Sequence, residues 1–215
     1  ARRYLMECGL PKERTFVTGS PMAEVLHANL DKIEASNVHQ RLGLTKGQYI
    51  LLSAHREENI DTDRNFVQLF TAVNAMAEKY DMPILYSCHP RSRKRLEATG
   101  FQLDTRVIAH EPLGFLDYNC LQMNAFAVVS DSGTLPEESS FFLSVGKPFP
   151  AVSIRTSTER PEALDAGCFV LAGIDADSLL QAVEMAVEMQ RAECFGTPVA
   201  GYTAENVSMK VARII

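Results

Sequence analysis

The stretch YILLSAHREEN, residues 49–59, decides the fold because a continuous apolar run passes directly into polar and charged side chains. Strands covered on both faces have such continuous runs, whereas strands with one face in water alternate apolar and polar residues. The same pattern recurs along the chain, and the six predicted strands are Tyr49–Ala54, Pro83–Cys88, Thr105–Ala109, Ala125–Ser130, Phe149–Ile154 and Cys168–Leu171. The sequence therefore predicts a sheet that is buried on both faces.

Amphipathic helices are predicted between these runs. Residues 62–80 place apolar side chains at three- and four-residue spacing, and a second such pattern starts near Ala176. Strands that alternate with helices are joined by right-handed crossovers and pair in parallel. We therefore predict an α/β fold with a doubly wound, Rossmann-like parallel sheet.

The first 47 residues fit this pattern less well. Residues 1–8 have a helical pattern, residues 14–19 suggest a short strand, and Ser20 is the predicted N-cap of a helix. Because the chain starts and stops within helical patterns, we expect a piece of a longer protein. The predicted parts are the tail of a preceding domain, a linker and a main domain truncated at its C-terminus, covering residues 1–19, 20–47 and 48–215.

Composition excludes several classes of function. The net charge is −6 and no long run of Lys or Arg occurs, so duplex nucleic acid is not an expected partner. The longest apolar runs fall short of the roughly 20 residues that span a bilayer, so no membrane association is expected. Five scattered cysteines favour reduced thiols in a cytoplasmic protein, and the carboxylates are not clustered at ligand spacing. We predict no metal and no cofactor.

Polar residues follow the predicted strands at their carboxyl ends, where open parallel sheets bind ligands. His55, His89 and His110 come just after three successive strands. One such histidine is commonly structural, but three on one edge indicate a binding site. Arginines follow the same strands, and together they favour an anionic ligand: Arg56, Arg91, Arg155 and Arg160.

The segment Ser132-Gly133-Thr134 lies between a predicted strand and a predicted helix over residues 135–145. Small residues at a helix start leave backbone N–H groups available to a phosphate, and the helix dipole favours negative charge. A plain capping motif is the alternative interpretation. Glu138, one turn further on, is placed to accept hydrogen bonds from both hydroxyls of a ribose.

Four segments together resemble the signatures of the non-hydrolysing UDP-N-acetylglucosamine 2-epimerase family, in the family's order. Thr18-Gly19-Ser20 is similar to the segment that leaves the family's N-terminal domain. The resemblance implies a two-domain fold of the GT-B type, of which this chain covers nearly all of the C-terminal, UDP-binding domain. The four segments are SAHREEN at 53–59, DSG at 131–133 with Glu137 and Glu138, GKP at 146–148 and TERPE at 158–162.

The resemblance also implies roles for individual residues. His55 matches a histidine near the diphosphate that is important for activity, and Glu138 matches the carboxylate that binds the ribose. Tyr118 falls where the family holds uracil with backbone groups. The other residues implied to bind UDP are Arg56, Ser132, Gly133, Thr134 and Arg160.

The reaction implied by the resemblance is elimination of UDP to a 2-acetamidoglycal, followed by re-addition of UDP with inversion at C2. Its acid–base carboxylates come mainly from the family's N-terminal domain, so this chain alone is expected to be inactive. The family implies a UDP-N-acetyl amino sugar as substrate and a homodimer. Thr134 and residues 153–157 depart from the common pattern and resemble the capsule and O-antigen branch that forms UDP-N-acetyl-L-fucosamine.

Three alternatives stay open. A glycosyltransferase of the same GT-B fold explains a helix-bound phosphate and a ribose-binding glutamate, but not His55 together with residues 158–162. A hydrolysing 2-epimerase shares the substrate and differs in its product. A non-catalytic nucleotide-sensing module needs the binding residues alone.

Overall fold

Six short strands form one parallel sheet in the computed structural model, which describes residues 2–155 and 157–215. The strand order is β3-β2-β1-β4-β5-β6, with every neighbouring pair parallel. The order reverses between β1 and β4, as in doubly wound folds. All six predicted strands are confirmed: β1 (Ile50–Ser53), β2 (Ile84–Ser87), β3 (Val107–His110), β4 (Ala127–Ser130), β5 (Ala151–Ile154) and β6 (Val170–Ala172).

Helices cover both faces of the sheet. None of those in the described residues is both long and apolar enough to cross a membrane. In chain order they are α1 (Arg2–Glu7), α2 (Met22–Glu34), α3 (Val38–Leu42), α4 (Glu57–Ile60), α5 (Asp63–Tyr80), α6 (Pro90–Thr99), α7 (Phe115–Met123), α8 (Leu135–Ser144), α9 (Pro161–Asp165), α10 (Ala176–Arg191) and α11 (Val207–Ala212).

The core consists of two apolar layers, one on each face of the sheet. Ile50 and Leu52 of β1 pack in the layer of α5 and α10, while Leu51 points to the layer of α2, α7 and α8. Successive side chains of a strand point to opposite faces, and here both faces are covered. This explains why the strands are continuous apolar runs rather than alternating ones.

The two clearest helix predictions are confirmed. Thr62 caps α5 by accepting a hydrogen bond from the backbone N–H of Asn65 at 3.2 Å, and Asp175 caps α10 through the N–H of Ser178 at 2.9 Å. The apolar stripe of α5 is buried, including Phe66 and Phe70. Full burial of one such side chain contributes about 1.5–3 kcal/mol relative to exposure.

The N-terminal segment differs from two expectations. Residues 14–19 do not form a strand: a 3₁₀ turn at Lys12–Arg14 is followed by residues that pair with none of the six strands. The expected linker at 20–47 is folded onto the sheet instead. Leu26 and Ile33 of α2 are fully buried against α7 and α8, and this apolar stripe makes the segment part of the core.

Candidate functional site

The reversal of strand order brings the carboxyl ends of β1 and β4 side by side, with Ser53 opposite Ser130. In open parallel sheets, ligands bind in the crevice at such a reversal because the adjoining loops diverge there. The loop after β1 carries His55 and Arg56, and the loop after β4 carries residues 131–134 and leads into α8. Most of the predicted site residues are therefore on two adjacent loops.

Asp131 organises this crevice. Its carboxylate is fully buried and accepts hydrogen bonds from the backbone N–H groups of His55 and Arg56, both at 2.9 Å, and from Asn59 Nδ2 at 3.1 Å. Asn59 Nδ2 also donates to the carbonyl of Ile154 at 3.1 Å. Hydrogen bonds to an ionised acceptor are stronger than neutral ones. Asp131 therefore ties together the ends of β1, β4 and β5.

His55 is held on one side of its ring. Nδ1 lies 3.4 Å from Asp131 Oδ1 and 3.5 Å from Ser53 Oγ, while the side chain is 48% exposed. Nε2 therefore lies on the opposite side of the imidazole from the buried carboxylate. A ring oriented through one nitrogen presents the other to a ligand.

The other two strand-end histidines have different surroundings. His89 caps α6, because its Nδ1 accepts a hydrogen bond from the backbone N–H of Arg91 at 3.3 Å. His110 Nδ1 lies 2.6 Å from the carbonyl oxygen of Glu111. In the sheet β1 is next to β4, and β2 and β3 lie further out. His55 follows β1, whereas His89 follows β2 and His110 ends β3. His55 alone of the three borders the start of α8.

The start of α8 has its own hydroxyl groups arranged around it. Ser132 Oγ accepts a hydrogen bond from the N–H of Thr134 at 3.3 Å and lies 2.9 Å from Thr134 Oγ1. Among the described residues, the N–H groups of Gly133 and Leu135 have no hydrogen-bond partner. Free N–H groups at the positive end of a helix dipole form an anion-binding position.

Gly133 lies close to two charged side chains, those of Arg56 and Glu159. A Cβ at this position would be 3.3 Å from Arg56 Nη2 and 3.9 Å from Glu159 Oε2. The absence of a side chain therefore lets a guanidinium group and a carboxylate approach the start of α8.

Glu138 is buried one turn into α8, where its Oε2 accepts a hydrogen bond from Gln122 Nε2 at 2.9 Å. Burial raises the pKa of Glu138 above its ordinary value, although the hydrogen bond from Gln122 opposes this shift. Gln122 is itself fully buried on α7. The amide of Gln122 therefore orients the carboxyl group of Glu138. This arrangement fits a carboxyl group that accepts further hydrogen bonds.

Tyr118 was expected at the position where backbone groups hold the base. It lies within α7, and its backbone N–H donates to the carbonyl of Gly114 at 2.9 Å, so this N–H is already used by the helix. Burial, with the negative charge of Glu138, raises the pKa of Tyr118. The residue is therefore near the crevice through its side chain rather than through a free backbone donor.

The four strand-end arginines all have carboxylate partners. Arg155 is 7% exposed. The other three arginines pair with carboxylates from distant parts of the sequence. Their contacts are Arg155 Nη1 and Nη2 with Glu159 at 2.6 Å each, Arg91 Nη2 with Asp61 at 2.7 Å, Arg160 Nε with Glu137 at 2.7 Å and Arg56 Nη1 with Glu159 at 3.6 Å. Each of these positive charges is therefore balanced by a carboxylate of the chain itself.

Glu137 connects the site to the N-terminal segment. Its buried carboxylate binds Arg160 and also accepts a hydrogen bond from Ser20 Oγ. Ser20 in turn accepts a hydrogen bond from the N–H of Met22 at the start of α2. Arg160 is therefore fixed to the first turn of α8 by Glu137, a residue that the quoted segments contain.

Sequence reasoning missed three residues that shape the crevice: Asp131, Asn59 and Gln122. Asp131 and Asn59 are within the quoted segments but were given no role. Asp131 is a small polar residue directly after a buried strand, and Asn59 is a buried polar residue in α4. Gln122 is a buried polar residue of α7. A polar residue on a buried helix face needs a partner, which in this case is Glu138.

A separate pocket lies between α8, β6 and α10. It is lined largely by apolar side chains, including Leu143, Phe149 and Met189, and none of its lining residues is charged. A diphosphate needs cations or free N–H groups. The chemistry therefore favours the strand ends over this pocket as the nucleotide site.

Comparison with known proteins identifies relatives over the whole chain. The UDP-N-acetylglucosamine 2-epimerase family matches residues 1–215. The UDP-N-acetylglucosamine 2-epimerase of Methanocaldococcus jannaschii is 30% identical over 199 residues, which cover 89% of this chain and 53% of that protein. The enzyme of Methanococcus maripaludis is 32% identical over 198 residues with the same coverage. The chain thus spans about half the length of these relatives.

Solved structures share the fold. The UDP-N-acetylglucosamine 2-epimerase from Rickettsia bellii superposes with a TM-score of 0.85 at 38% identity, over 99% of this chain and 56% of that one. The M. jannaschii enzyme in complex with UDP-GlcNAc and UDP gives 0.83 at 27% identity, over 99% and 58%. Since the family matches every residue of the chain, this protein belongs to the UDP-N-acetylglucosamine 2-epimerase family.

Proposed function

We propose that this chain is the nucleotide-binding part of a non-hydrolysing 2-epimerase that acts on UDP-linked N-acetyl amino sugars. In this proposal residues 48–215 bind UDP and residues 1–19 belong to a preceding domain. Residues 20–47 join the two and are packed on the nucleotide-binding part. Family membership supports the substrate class, and a matched relative was solved with UDP-GlcNAc and UDP.

The observation that carries the proposal is the start of α8 beside the end of β1. The N–H groups of Gly133 and Leu135, unpartnered among the described residues, are next to Arg56, and His55 is oriented on the adjoining loop. N–H groups at a helix start bind phosphate oxygens, and a guanidinium group adds charge. We assign the diphosphate to this position, with Ser132 and Thr134 at its edge and Arg160 further out.

Glu138 is assigned to the ribose. A carboxylate accepts hydrogen bonds from two neighbouring hydroxyls, and Gln122 occupies only one of the oxygens of Glu138. Tyr118 is assigned to the edge of the base site through its side chain, because its backbone N–H is bonded within α7. These assignments give the nucleoside an orientation that points the diphosphate at α8.

The proposed reaction removes a proton from C2 while the C1–O bond breaks, and the electron pair of that bond leaves with UDP. The glycal then takes UDP back at C1 and a proton at the opposite face of C2. In this chain His55, Arg56 and the start of α8 stabilise the leaving diphosphate. Glu159 is a poor base for the C2 proton, because the hydrogen bonds from Arg155 lower its pKa to about 2. The base is therefore assigned to the remainder of the longer protein.

Calorimetry tests the ligand class directly. The chain should bind UDP more tightly than UMP, and UMP more tightly than uridine or free N-acetylglucosamine, because each phosphate adds contacts at α8. Equal affinity for UDP, UMP and uridine would remove the basis of the proposal.

Proton exchange tests the division of roles. The chain is incubated with UDP-N-acetylglucosamine in D₂O, and the C2 proton is followed by NMR. We expect retention of the proton by this chain and exchange by the full-length enzyme. Deuterium entering C2 with this chain alone would show that it contains its own base.

A glycosyltransferase is the main alternative. Sucrose-phosphate synthase from Thermosynechococcus elongatus shares the fold with a TM-score of 0.55 at 14% identity, so the fold by itself is compatible with other reactions. Family membership favours the epimerase. Product analysis of the full-length protein separates epimerisation, hydrolysis to a free sugar and transfer, and it also tests the predicted formation of UDP-N-acetyl-L-fucosamine.

A further inference from the structure

The carboxylate of Glu159 lies where positive groups converge. Arg155 donates two hydrogen bonds of 2.6 Å to it, and Arg56 Nη1 is 3.6 Å away. Oε2 is also 3.9 Å from the position that a Cβ of Gly133 would occupy. Two guanidinium groups and the start of α8 therefore surround one exchangeable anion.

Arg155 explains why an anion is needed at this place. Its side chain is 6% exposed, and among the described residues its Nε has no hydrogen-bond partner. A second carboxylate, that of Glu58, is 3.7 Å from Nε. A buried guanidinium without an adjacent anion is strongly unfavourable. Hydrogen bonds from Arg155 keep Glu159 ionised by lowering its pKa to about 2.

Glu159 itself is suited to leave. It is 54% exposed and lies on the loop between β5 and α9 rather than within either element. A phosphate offers a guanidinium group the same pair of oxygen acceptors as a carboxylate does. A phosphate that reaches Gly133 and Leu135 from solvent meets Glu159 next to Arg56.

We propose that Glu159 occupies the place of a ligand phosphate in the ligand-free chain, and that UDP binds by displacing its carboxylate from Arg56. This rests on the proposed function, because it takes the diphosphate site at α8 as given. Binding then exchanges one anion for another, so that neither Arg56 nor Arg155 is left without a partner in either state. Uridine has no phosphate and cannot make this exchange.

Glu159→Gln tests the displacement. Glutamine keeps an oxygen acceptor for Arg155 but loses the charge that competes with phosphate, so UDP should bind about fivefold more tightly. Uridine affinity should not change. Glu57→Gln is the matched control, because Glu57 is an exposed carboxylate at the start of α4 that pairs with Arg91. Only an increase in UDP affinity larger than that of the control variant supports displacement of Glu159 by UDP.

The outcomes separate the two proposals. A UDP affinity that is unchanged or lower in Glu159→Gln overturns the displacement, whereas failure of the wild type to bind UDP overturns the nucleotide site itself. If Glu159→Gln does not fold, carboxyl ¹³C NMR of the wild-type chain tests the displacement. The Glu159 resonance should move on addition of UDP or pyrophosphate and stay in place with uridine. If UDP binds and the Glu159 resonance does not move, the displacement is also overturned.

Discussion

The loop after β1 and the loop after β5 bring charged residues to the same end of the sheet, yet they are held differently. His55 and Arg56 donate their backbone N–H groups to the buried carboxylate of Asp131. Arg155 is held by a side-chain ion pair with the half-exposed Glu159, which also pairs with Arg56. Backbone bonds to a buried anion fix a loop, whereas a pair with a half-exposed partner is weaker because solvent screens it. The loop after β1 is therefore held by a buried anion, and the charges after β5 are held by an anion that solvent reaches.

Loss of Asp131 should have the largest effect. In Asp131→Ala the N–H groups of His55 and Arg56 lose their acceptor within the protein, and the amide of Asn59 keeps only the carbonyl of Ile154. Each unpaired buried group costs about 1–3 kcal/mol, so unfolding free energy should fall by about 3–5 kcal/mol. Urea denaturation measures this. A loss below about 1 kcal/mol would mean that the loop after β1 is no better fixed than the loop after β5.

His55→Asn should affect turnover rather than folding. The His55 side chain is 48% exposed, and its backbone N–H, which the substitution retains, makes the bond to Asp131. In the full-length enzyme we expect turnover to fall about 100-fold through lost stabilisation of the leaving diphosphate. The melting temperature should stay near that of the wild type. A parallel loss of melting temperature and activity would assign a structural role to His55.

Glu138→Gln should separate stability from binding. The pKa of Glu138 is raised by burial, so between the unfolded and folded pKa values the folded chain holds a proton that the unfolded chain has lost. Stability therefore decreases as pH rises through that window, and a neutral glutamine removes the decrease. The variant should be more stable than the wild type at neutral pH and similar at low pH, which urea denaturation across pH measures.

The same variant should bind UDP more weakly by about 1–3 kcal/mol, and 2′,3′-dideoxy-UDP with little change, because only UDP offers ribose hydroxyls. Calorimetry with both ligands measures the difference. Equal losses for both would assign Glu138 to the fold alone, like Asp131.

Glu159→Gln should lower the unfolding free energy less than Asp131→Ala does, by about 1–2 kcal/mol, because the buried Arg155 loses one adjacent charge and keeps that of Glu58 at 3.7 Å. The Glu159 carboxylate is 54% exposed, and glutamine still accepts a hydrogen bond from Arg155. Urea denaturation beside Asp131→Ala provides the direct comparison of the two loops. A loss as large as that of Asp131→Ala would mean that the loop after β5 is also rigid, and displacement by a ligand would then be too costly.

Local pattern in the sequence was sufficient for the sheet and the long helices. The run around Ile50 and the spacing of Phe66 and Phe70 indicate burial from the local pattern of apolar residues alone. The role of α2 was not visible in the same way. Its helix was expected, but whether Leu26 and Ile33 face a sheet or a solvent-exposed linker depends on α7 and α8, which lie far along the chain.

The charges at the strand ends were the hardest part to predict. Arg160 and Glu137 are 23 positions apart, and Arg91 and Asp61 are 30 apart, so only the folded chain shows that they are paired. The number of arginines near the strand ends therefore does not show which carboxylates balance them. The helix start at Ser132 was recognisable because its signal is local.

The side chain of Arg56 occupies the space next to Gly133, although the two residues come from different loops of the chain. A methyl group at position 133 would be 3.3 Å from the end of the arginine side chain. The two positions are thus expected to vary together across sequences of the family. A homologue with a larger residue at the first should have a shorter one at the second. A homologue that keeps arginine beside a larger residue has to move the end of the arginine side chain by a few tenths of an ångström, so a pairwise substitution pattern in related sequences would record this contact.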